Sequence, residues 1–460
     1  MSVLPWRALR HEAGPLLRLA APIIVTQLAF STMTTVDTLF AGRLGAAPLA
    51  GVAVGGNLWF LPFVFLLGLW MALSALVAQQ VGAGEAAPRI GARVRASLVL
   101  ATLTGVLWIA LLMLIREPVL DLLRLDAETR SHATDFVATV QWAAVPFCWS
   151  FVLRNVAEAH GLTRLPLLAG VAGLLTNILF NSLLVLGLFG APRLGVTGTA
   201  LATVIAAFVM VGCYALIYWR VPALRALQLL RPQALALGQT AREVLRLGLP
   251  IALILTAEAS LFLLGALAMA RFGRDAVAAH QIAINVASVA FMVPLSIGLA
   301  TTVRVGHAAG AGQWREVALR GRTGILLGVA FAVISALVMA LLPGPIVRSF
   351  TLDPTVMALA IHFLAFAAVF QIFDCVQATA GGALRGIKDT RQPMVITMLA
   401  YWLVGLPVAA GLAFLTPVGP AGIWWGFIAG LGVAALGLSA RVWRVMPLAA
   451  PAPSGVPDPA

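Results

Sequence analysis

Long apolar segments, separated by short polar gaps, run along almost the whole chain. Twelve of them are long enough to cross a membrane as helices, which takes about 20 residues each. The longer segments must tilt, kink or extend beyond the hydrocarbon. They lie at 15–41, 50–80, 95–115, 133–157, 164–190, 195–219, 244–270, 277–306, 322–343, 357–384, 392–415 and 420–441.

The spacing of these segments predicts an all-α membrane protein of twelve transmembrane helices in two six-helix lobes. A longer basic linker separates the sixth segment from the seventh. We therefore expect an N-lobe at 10–220, a cytoplasmic linker at 221–243 and a C-lobe at 244–445. The Pro-rich tail at 446–460 is expected to be disordered.

Composition and charge support a membrane protein and indicate its orientation. Hydrophobic residues make up 61% of the chain, charged residues only 10%, and the mean hydropathy is +0.99, whereas soluble domains carry about 25% charged residues. The basic residues, Arg154 and Arg164 among them, sit in gaps between apolar segments and form no patch for nucleic acid. With both termini on one side, most Lys and Arg fall on that side, so both termini are predicted to be cytoplasmic.

The two halves repeat each other at an offset of 228 residues. Pro22–Ile23 then aligns with Pro250–Ile251, and Asn57 aligns with Asn285. Each half has an even number of helices, so the repeat is parallel, with its two-fold axis along the membrane normal. Two such bundles facing a common cleft can rock to open it to either side, which predicts a transporter working by alternating access.

Three acidic residues, Asp37, Glu258 and Asp374, lie well inside predicted helices, where no Lys or Arg lies at comparable depth. Ionisable groups are costly in the membrane and usually mark a transport pathway. Because basic partners cannot compensate all three, we expect protonation, a metal cation or a cationic substrate to do so.

Neutral oxygens accompany the acid of the first half. Asn177 and Asn181 lie four residues apart on one helix face, and Thr199 begins the next helix. Together with Asp37 they suit Na⁺, and a protonatable Asp alone suits H⁺. The alternative for the two asparagines is simple hydrogen bonding between helices.

The second half carries a similar set. Phe370 and Asp374 share one helix face, as do Gln281 and Asn285. Glu258 and Asp374 are expected to carry a proton or Na⁺ between them, or to bind a cationic drug directly. We predict no catalytic residue and no cofactor.

The segment 22–45, with 278–285 and the acids Glu258 and Asp374, resembles the multidrug and toxic compound extrusion (MATE) family and its NorM-like branch. The similarity covers about 10–445. It implies a monomeric antiporter of the bacterial inner membrane that exports organic cations such as drugs and dyes while Na⁺ or H⁺ enters. It assigns a cation-coupling site to Asp37, Asn177, Asn181 and Thr199, and a coupling or substrate site to Glu258 and Asp374, with Gln281, Asn285 and Phe370 beside them.

Two departures from the family pattern bear on the coupling ion. Phe370 stands where NorM-type sites often have a tyrosine, and Asn181 stands where some relatives have a second acid. Each removes an oxygen or a charge that would favour Na⁺, so H⁺ stays open.

Three other functions are weighed against this one. A lipid-linked oligosaccharide flippase of the same superfamily would need basic groups for its phosphates, but the charges at membrane depth are acidic. An intramembrane enzyme would need a nucleophile–base or metal motif, and the sequence has no HExxH, GxSxG or paired Cys/His motif. A receptor would be expected to carry a soluble sensor domain.

Overall fold

The computed structural model describes residues 6–231 and 236–447, and this part of the chain consists of helices joined by short loops. Residues 232–235 of the predicted linker (221–243) and residues 448–460 of the predicted tail (446–460) lie outside the described residues. The helices are α1 (Trp6–Leu44), α2 (Ala46–Gly82), α3 (Ala87–Leu122), α4 (Ala127–Val140), α5 (Ala144–Ala159), α6 (Arg164–Leu186), α7 (Gly195–Arg220), α8 (Pro222–Arg225), α9 (Leu237–Met269), α10 (Arg274–Gly310), α11 (Trp314–Leu341), α12 (Pro343–Arg348), α13 (Pro354–Gly386), α14 (Arg391–Met398), α15 (Leu406–Phe414) and α16 (Ala421–Val445).

The twelve predicted membrane spans are confirmed, with α4–α5 and α14–α15 each forming one span. Most spans are longer than the sequence pattern indicates: α2 has 37 residues and is therefore about 55 Å long, against a hydrocarbon thickness of about 30 Å. A 3₁₀ turn at Gln141–Ala143 joins α4 to α5, and a π-helical segment at Leu399–Gly405 joins α14 to α15. The chain thus stays helical across both junctions.

Local chemistry sets several helix boundaries. Gly45 separates α1 from α2 with φ at +129°, a backbone conformation that favours glycine. The Asp126 carboxylate accepts the Thr129 N–H at 2.9 Å and caps α4. Asp353 caps α13 by accepting the N–H groups of Thr355 and Val356 at 2.8 and 3.1 Å. Such caps satisfy backbone donors that have no partner within the helix.

Packing divides the chain into two units. Unit 2 comprises the described residues of 21–77 and 85–263, and unit 1 comprises those of 1–20, 78–84 and 264–460. The division by packing therefore differs from the lobes predicted from the repeat, because the first part of α9 packs on α2. A Cβ on Gly248 would lie 2.3 Å from the Leu69 carbonyl oxygen, and one on Gly68 would lie 2.6 Å from the Ala252 Cα.

In unit 1, α10 and α13 approach each other at glycines. A Cβ on Gly382 would lie 2.2 Å from the carbonyl oxygen of Gly298. One turn along α10, the Thr302 hydroxyl donates to the Gly382 carbonyl at 2.8 Å. The absence of side chains at this crossing lets the two backbones come close enough for that bond, as small residues do between membrane helices.

The beginning of the linker is packed onto unit 2. Leu224 and Leu227 are buried, and the Arg95 side chain of α3 donates to the Gln228 carbonyl at 2.8 Å. A Cβ on Gly91 of α3 would lie only 1.8 Å from the Leu227 carbonyl oxygen. This part of the predicted linker is therefore a folded element of unit 2.

Candidate functional site

The carboxylate of Asp37 is the centre of a buried polar cluster in unit 2. It lies on α1 and is 9% exposed. The side-chain amides of Asn177 and Asn181, one turn apart on α6, donate to its Oδ1 at 3.0 and 2.9 Å. The hydroxyl of Thr203 on α7 donates to its Oδ2 at 2.7 Å. Three helices thus converge on one carboxylate.

Of the four residues predicted for this site, the structure brings together Asp37, Asn177 and Asn181. The hydrogen bond from α7, however, comes from Thr203, and the hydroxyl of Thr199 has no hydrogen-bond partner among the described residues. The two threonines lie four residues apart and share a helix face. That spacing in the sequence is the signal by which Thr203 could have been found.

The Asp37 cluster carries one negative charge that its hydrogen bonds leave uncompensated. All three side chains that donate to the carboxylate are neutral. The amide oxygens of Asn177 and Asn181 are buried without a hydrogen-bond partner in the described part of the chain. A buried charge in an apolar surrounding requires a compensating charge. Spare neutral oxygens beside a carboxylate suit a proton, which needs an acceptor, or a hard cation, which prefers oxygen ligands.

Unit 2 also buries an ion pair that the sequence pattern missed. The charge distribution predicts Arg154 to belong to the polar gap at the end of the segment 133–157, but it lies inside α5, and its Nε donates to Glu158 Oε1 at 2.8 Å. Their side chains are only 8% and 2% exposed. The i, i+4 spacing of opposite charges was the available signal. Because the pair is neutral overall, it does not supply the missing counter-charge for Asp37.

The second predicted site divides between the two units. Glu258 lies on α9 in unit 2 and Asp374 on α13 in unit 1, and both are buried. Next to Asp374, the Gln371 amide donates to Cys375 Sγ at 3.5 Å. A coupled role for the two acids stays a prediction.

Aromatic packing surrounds Phe370 in unit 1. Its ring meets Trp424 edge-on at 6.2 Å and Phe427 at 6.5 Å, and His280 meets Trp424 edge-on at 5.4 Å. All four side chains are buried. Phe370 is therefore a member of the helix-packing core beside Asp374.

Gln281 and Asn285 pair with each other on α10. The Gln281 amide donates to Asn285 Oδ1 at 3.3 Å, and both residues are exposed. The predicted shared face is thus present, with its polar atoms accessible.

No group of three or more His, Cys, Asp or Glu side chains suitable for a metal ion occurs within 6–231 and 236–447. The site that the structure presents is therefore a single carboxylate among amides and hydroxyls. That donor set suits a proton or Na⁺ better than a transition metal.

The sequence model of the MatE family matches the chain twice, at residues 22–183 and 250–410. The two matches begin 228 residues apart, which is the offset of the internal repeat. Together they cover both halves and include Asp37, Asn177, Asn181, Glu258 and Asp374.

Relatives and a solved structure agree with this match. The chain is 38% identical to the multidrug resistance protein PmpM of Pseudomonas aeruginosa over 443 residues, covering 95% of this chain and 92% of the relative. It is 38% identical to the multidrug resistance protein MdtK of Pectobacterium atrosepticum over 436 residues, covering 94% of this chain and 95% of the relative. The crystal structure of the eukaryotic MATE transporter AtDTX14 superposes with a TM-score of 0.85 at 21% identity, covering 95% and 96% of the two chains. The chain belongs to the MatE family and is thus a multi-pass membrane protein and a secondary transporter.

Proposed function

We propose that this protein exports lipophilic organic cations, such as drugs and dyes, in exchange for Na⁺ or H⁺. It works by alternating access as a monomer in the bacterial inner membrane, with both termini in the cytoplasm. The observation that carries the proposal is the buried Asp37 carboxylate, whose hydrogen-bond donors are all neutral. The names of the relatives as multidrug resistance proteins support the export of drugs.

The Asp37 cluster supports ion coupling because it has two states with different hydrogen bonding. As an anion, the carboxylate accepts from Asn177, Asn181 and Thr203. A proton on one of its oxygens must donate, and the nearest amides carry oxygens that lack a hydrogen-bond partner in the described structure. Na⁺ would recruit the same oxygens. Either ion requires the contacts between α1, α6 and α7 to rearrange.

Exchange follows if the ion and the drug favour different states of the protein. The drug enters from the cytoplasm while the acids are ionised and attract a cation. Binding of H⁺ or Na⁺ from the other side removes that attraction, and the drug leaves. Linkage is reciprocal, so each ligand lowers the affinity for the other.

Everted membrane vesicles containing the overexpressed protein test the proposal. Ethidium uptake into the lumen is followed by fluorescence, with the lumen loaded separately with Na⁺ or with acid. The variant Asp37→Asn removes the charge while keeping the size of the side chain. Asp275→Asn, at the start of α10 and partly exposed, is the matched control.

We expect uptake under one of the two gradients, loss of that uptake in Asp37→Asn, and no change in Asp275→Asn. The gradient that drives uptake identifies the coupling ion. If the folded protein transports no organic cation under either gradient, or if Asp37→Asn transports like the wild type, the proposal is wrong.

The structure favours this substrate class over a phosphate-bearing one. A flippase for lipid-linked oligosaccharides needs positive charge to receive its phosphates. The deeply buried Arg154 is neutralised by Glu158 at 2.8 Å, whereas Asp37 has only neutral donors. The Asp37 cluster therefore carries a negative charge, which suits a cation.

A further inference from the structure

A groove of about 330 Å³ opens between α3, α5 and α7 of unit 2. This volume lies at the lower end of the range for small-molecule pockets. Its lining residues come from all three helices and are uncharged: Leu98, Val99, Thr102, Trp149, Leu153 and Val211. The Asp37 cluster is built from α1, α6 and α7, and none of its side chains lines this groove.

The polar atoms in the groove satisfy each other. The Trp149 indole N–H donates to the Thr102 hydroxyl at 2.9 Å, and that hydroxyl donates to the Leu98 carbonyl at 3.0 Å. The groove therefore offers a ligand only apolar surface. A lipophilic cation would find no counter-charge among the lining residues and would be desolvated at a cost. An uncharged apolar chain meets no such penalty.

The groove is continuous with the lipid-facing surface of the spans. Val99 in its wall is 38% exposed, and Leu103 of α3 and Phe208 of α7 beside it are 60% and 53% exposed. In a multi-pass membrane protein, these apolar side chains contact lipid. An apolar recess left empty loses dispersion contacts along its lining, so we expect a lipid chain to enter it.

The groove lies within the thickness of one membrane leaflet. Val211 precedes Arg220 at the end of α7 by nine residues, about 14 Å along a helix. Trp219 and Arg220 are exposed there, with the guanidinium 5.2 Å from the indole centroid, and such residues mark membrane–water interfaces. Half of the hydrocarbon thickness is about 15 Å. Val211 therefore lies close to the middle of the bilayer, at the level of the methyl end of an acyl chain from this leaflet.

We infer that the α3–α5–α7 groove is a binding site for one acyl chain of a membrane phospholipid, held between the three helices and in contact with Trp149. The site is distinct from the general lipid layer because residues of three helices line the groove, and its volume of about 330 Å³ leaves room for no more than one chain at a time.

Quenching of tryptophan fluorescence by brominated lipid tests this site directly, because bromine quenches indoles at contact distance. The protein is reconstituted in dioleoyl phosphatidylcholine with an increasing fraction of a phosphatidylcholine that carries dibrominated chains. The signal of Trp149 is obtained as the difference between the wild type and Trp149→Phe. Trp142, which is 54% exposed on the same unit, is measured in the same way and reports the general lipid layer.

We expect Trp149 to be quenched in proportion to the brominated fraction, as for a site that holds one chain. Trp142 contacts several lipids and should be quenched more steeply at low fractions. The double variant Leu98→Phe/Val211→Phe narrows the groove from two helices and should reduce quenching of Trp149 at least twofold without changing that of Trp142. Leu103→Phe adds similar bulk outside the groove and should leave both unchanged.

The inference is overturned if Trp149 is not quenched in fully brominated bilayers, if its curve coincides with that of Trp142, or if the double variant leaves its quenching unchanged. Should the double variant fail to fold, Leu98→Phe alone provides the same comparison with Leu103→Phe. Transport is not measured, so the result is independent of the proposed antiport.

Discussion

Replacing Thr203 by valine keeps the shape of the side chain and removes one of the three hydrogen bonds to the Asp37 carboxylate, together with the bond that the hydroxyl accepts from the Asn177 amide at 3.2 Å. The bond to Asp37 is the stronger of the two because it joins a hydroxyl to a charged acceptor at 2.7 Å, and such a bond contributes about 1.5–3 kcal/mol. For a unit of some 200 residues, 1 kcal/mol shifts the unfolding midpoint by about 2–4 °C. We therefore expect Thr203→Val to lower the midpoint by about 3–12 °C.

Thr199→Val is the matched control, because the same change is made one turn away on the same helix. Its hydroxyl is buried without a hydrogen-bond partner in the described structure. Removing it relieves an unsatisfied group, which is worth about 1–3 kcal/mol, so the midpoint should stay the same or rise. Thr203→Ser keeps the hydroxyl and should recover most of the loss.

The wild type and the three variants are assayed in detergent micelles by tryptophan fluorescence during heating at one fixed rate. Ethidium uptake in everted vesicles is measured alongside and should fall in Thr203→Val only. If Thr199→Val lowers the midpoint as much as Thr203→Val, the assignment of the α7 ligand to Thr203 is refuted.

Three further substitutions test the packing of unit 1, each by thermal unfolding unless stated otherwise. Gly382→Ala places a methyl group against the α10 backbone and should cost about 1–3 kcal/mol, whereas Gly381→Ala, which meets nothing within 4 Å, should be neutral or stabilising. Glu12→Gln removes the negative charge and one of the two oxygens that accept from Arg304 at 2.7 and 2.6 Å. Its cost should be about 1–3 kcal/mol, less than for a fully buried pair because the Arg304 side chain is 22% exposed. Asp353→Ala removes the α13 cap and costs about 1 kcal/mol, seen as roughly fivefold faster hydrogen exchange of the first α13 amides, while Asp353→Ser should exchange like the wild type.

Hydropathy and residue spacing predicted the helices of this protein well, since a membrane span must be apolar over its whole length. They also predicted that Asn177 and Asn181 share a face, because a four-residue spacing determines direction around a helix axis. Spacing does not determine how far one helix is shifted along another. Thr199 and Thr203 point the same way, and only the packing of α7 against α1 selects Thr203.

Burial of charged groups was harder to predict. The sequence pattern places Arg154 with the polar gap because it stands near the end of the apolar segment 133–157, and the basic residues of this chain gather at such gaps. Its actual position depends on Glu158 one turn later, and a pair of opposite charges can be buried where a single one cannot. The sequence pattern also does not predict the packing of the linker onto α3. This packing depends on the small size of Gly91, and a glycine in a polar segment more often indicates a turn.

The contact between Arg95 and the Gln228 carbonyl spans 133 residues of chain, and this separation sets an order of events during synthesis. At about 5–20 residues per second, the ribosome needs roughly 7–27 s after making Arg95 to make Gln228. The surface of α3 around Gly91 stays uncovered for that interval and is then closed by Leu227. Because Gln228 precedes Leu237, where α9 begins, this closure uses only residues made before the second half of the protein. The beginning of the linker can therefore pack onto α3 of the nascent first half before the C-terminal helices are synthesised.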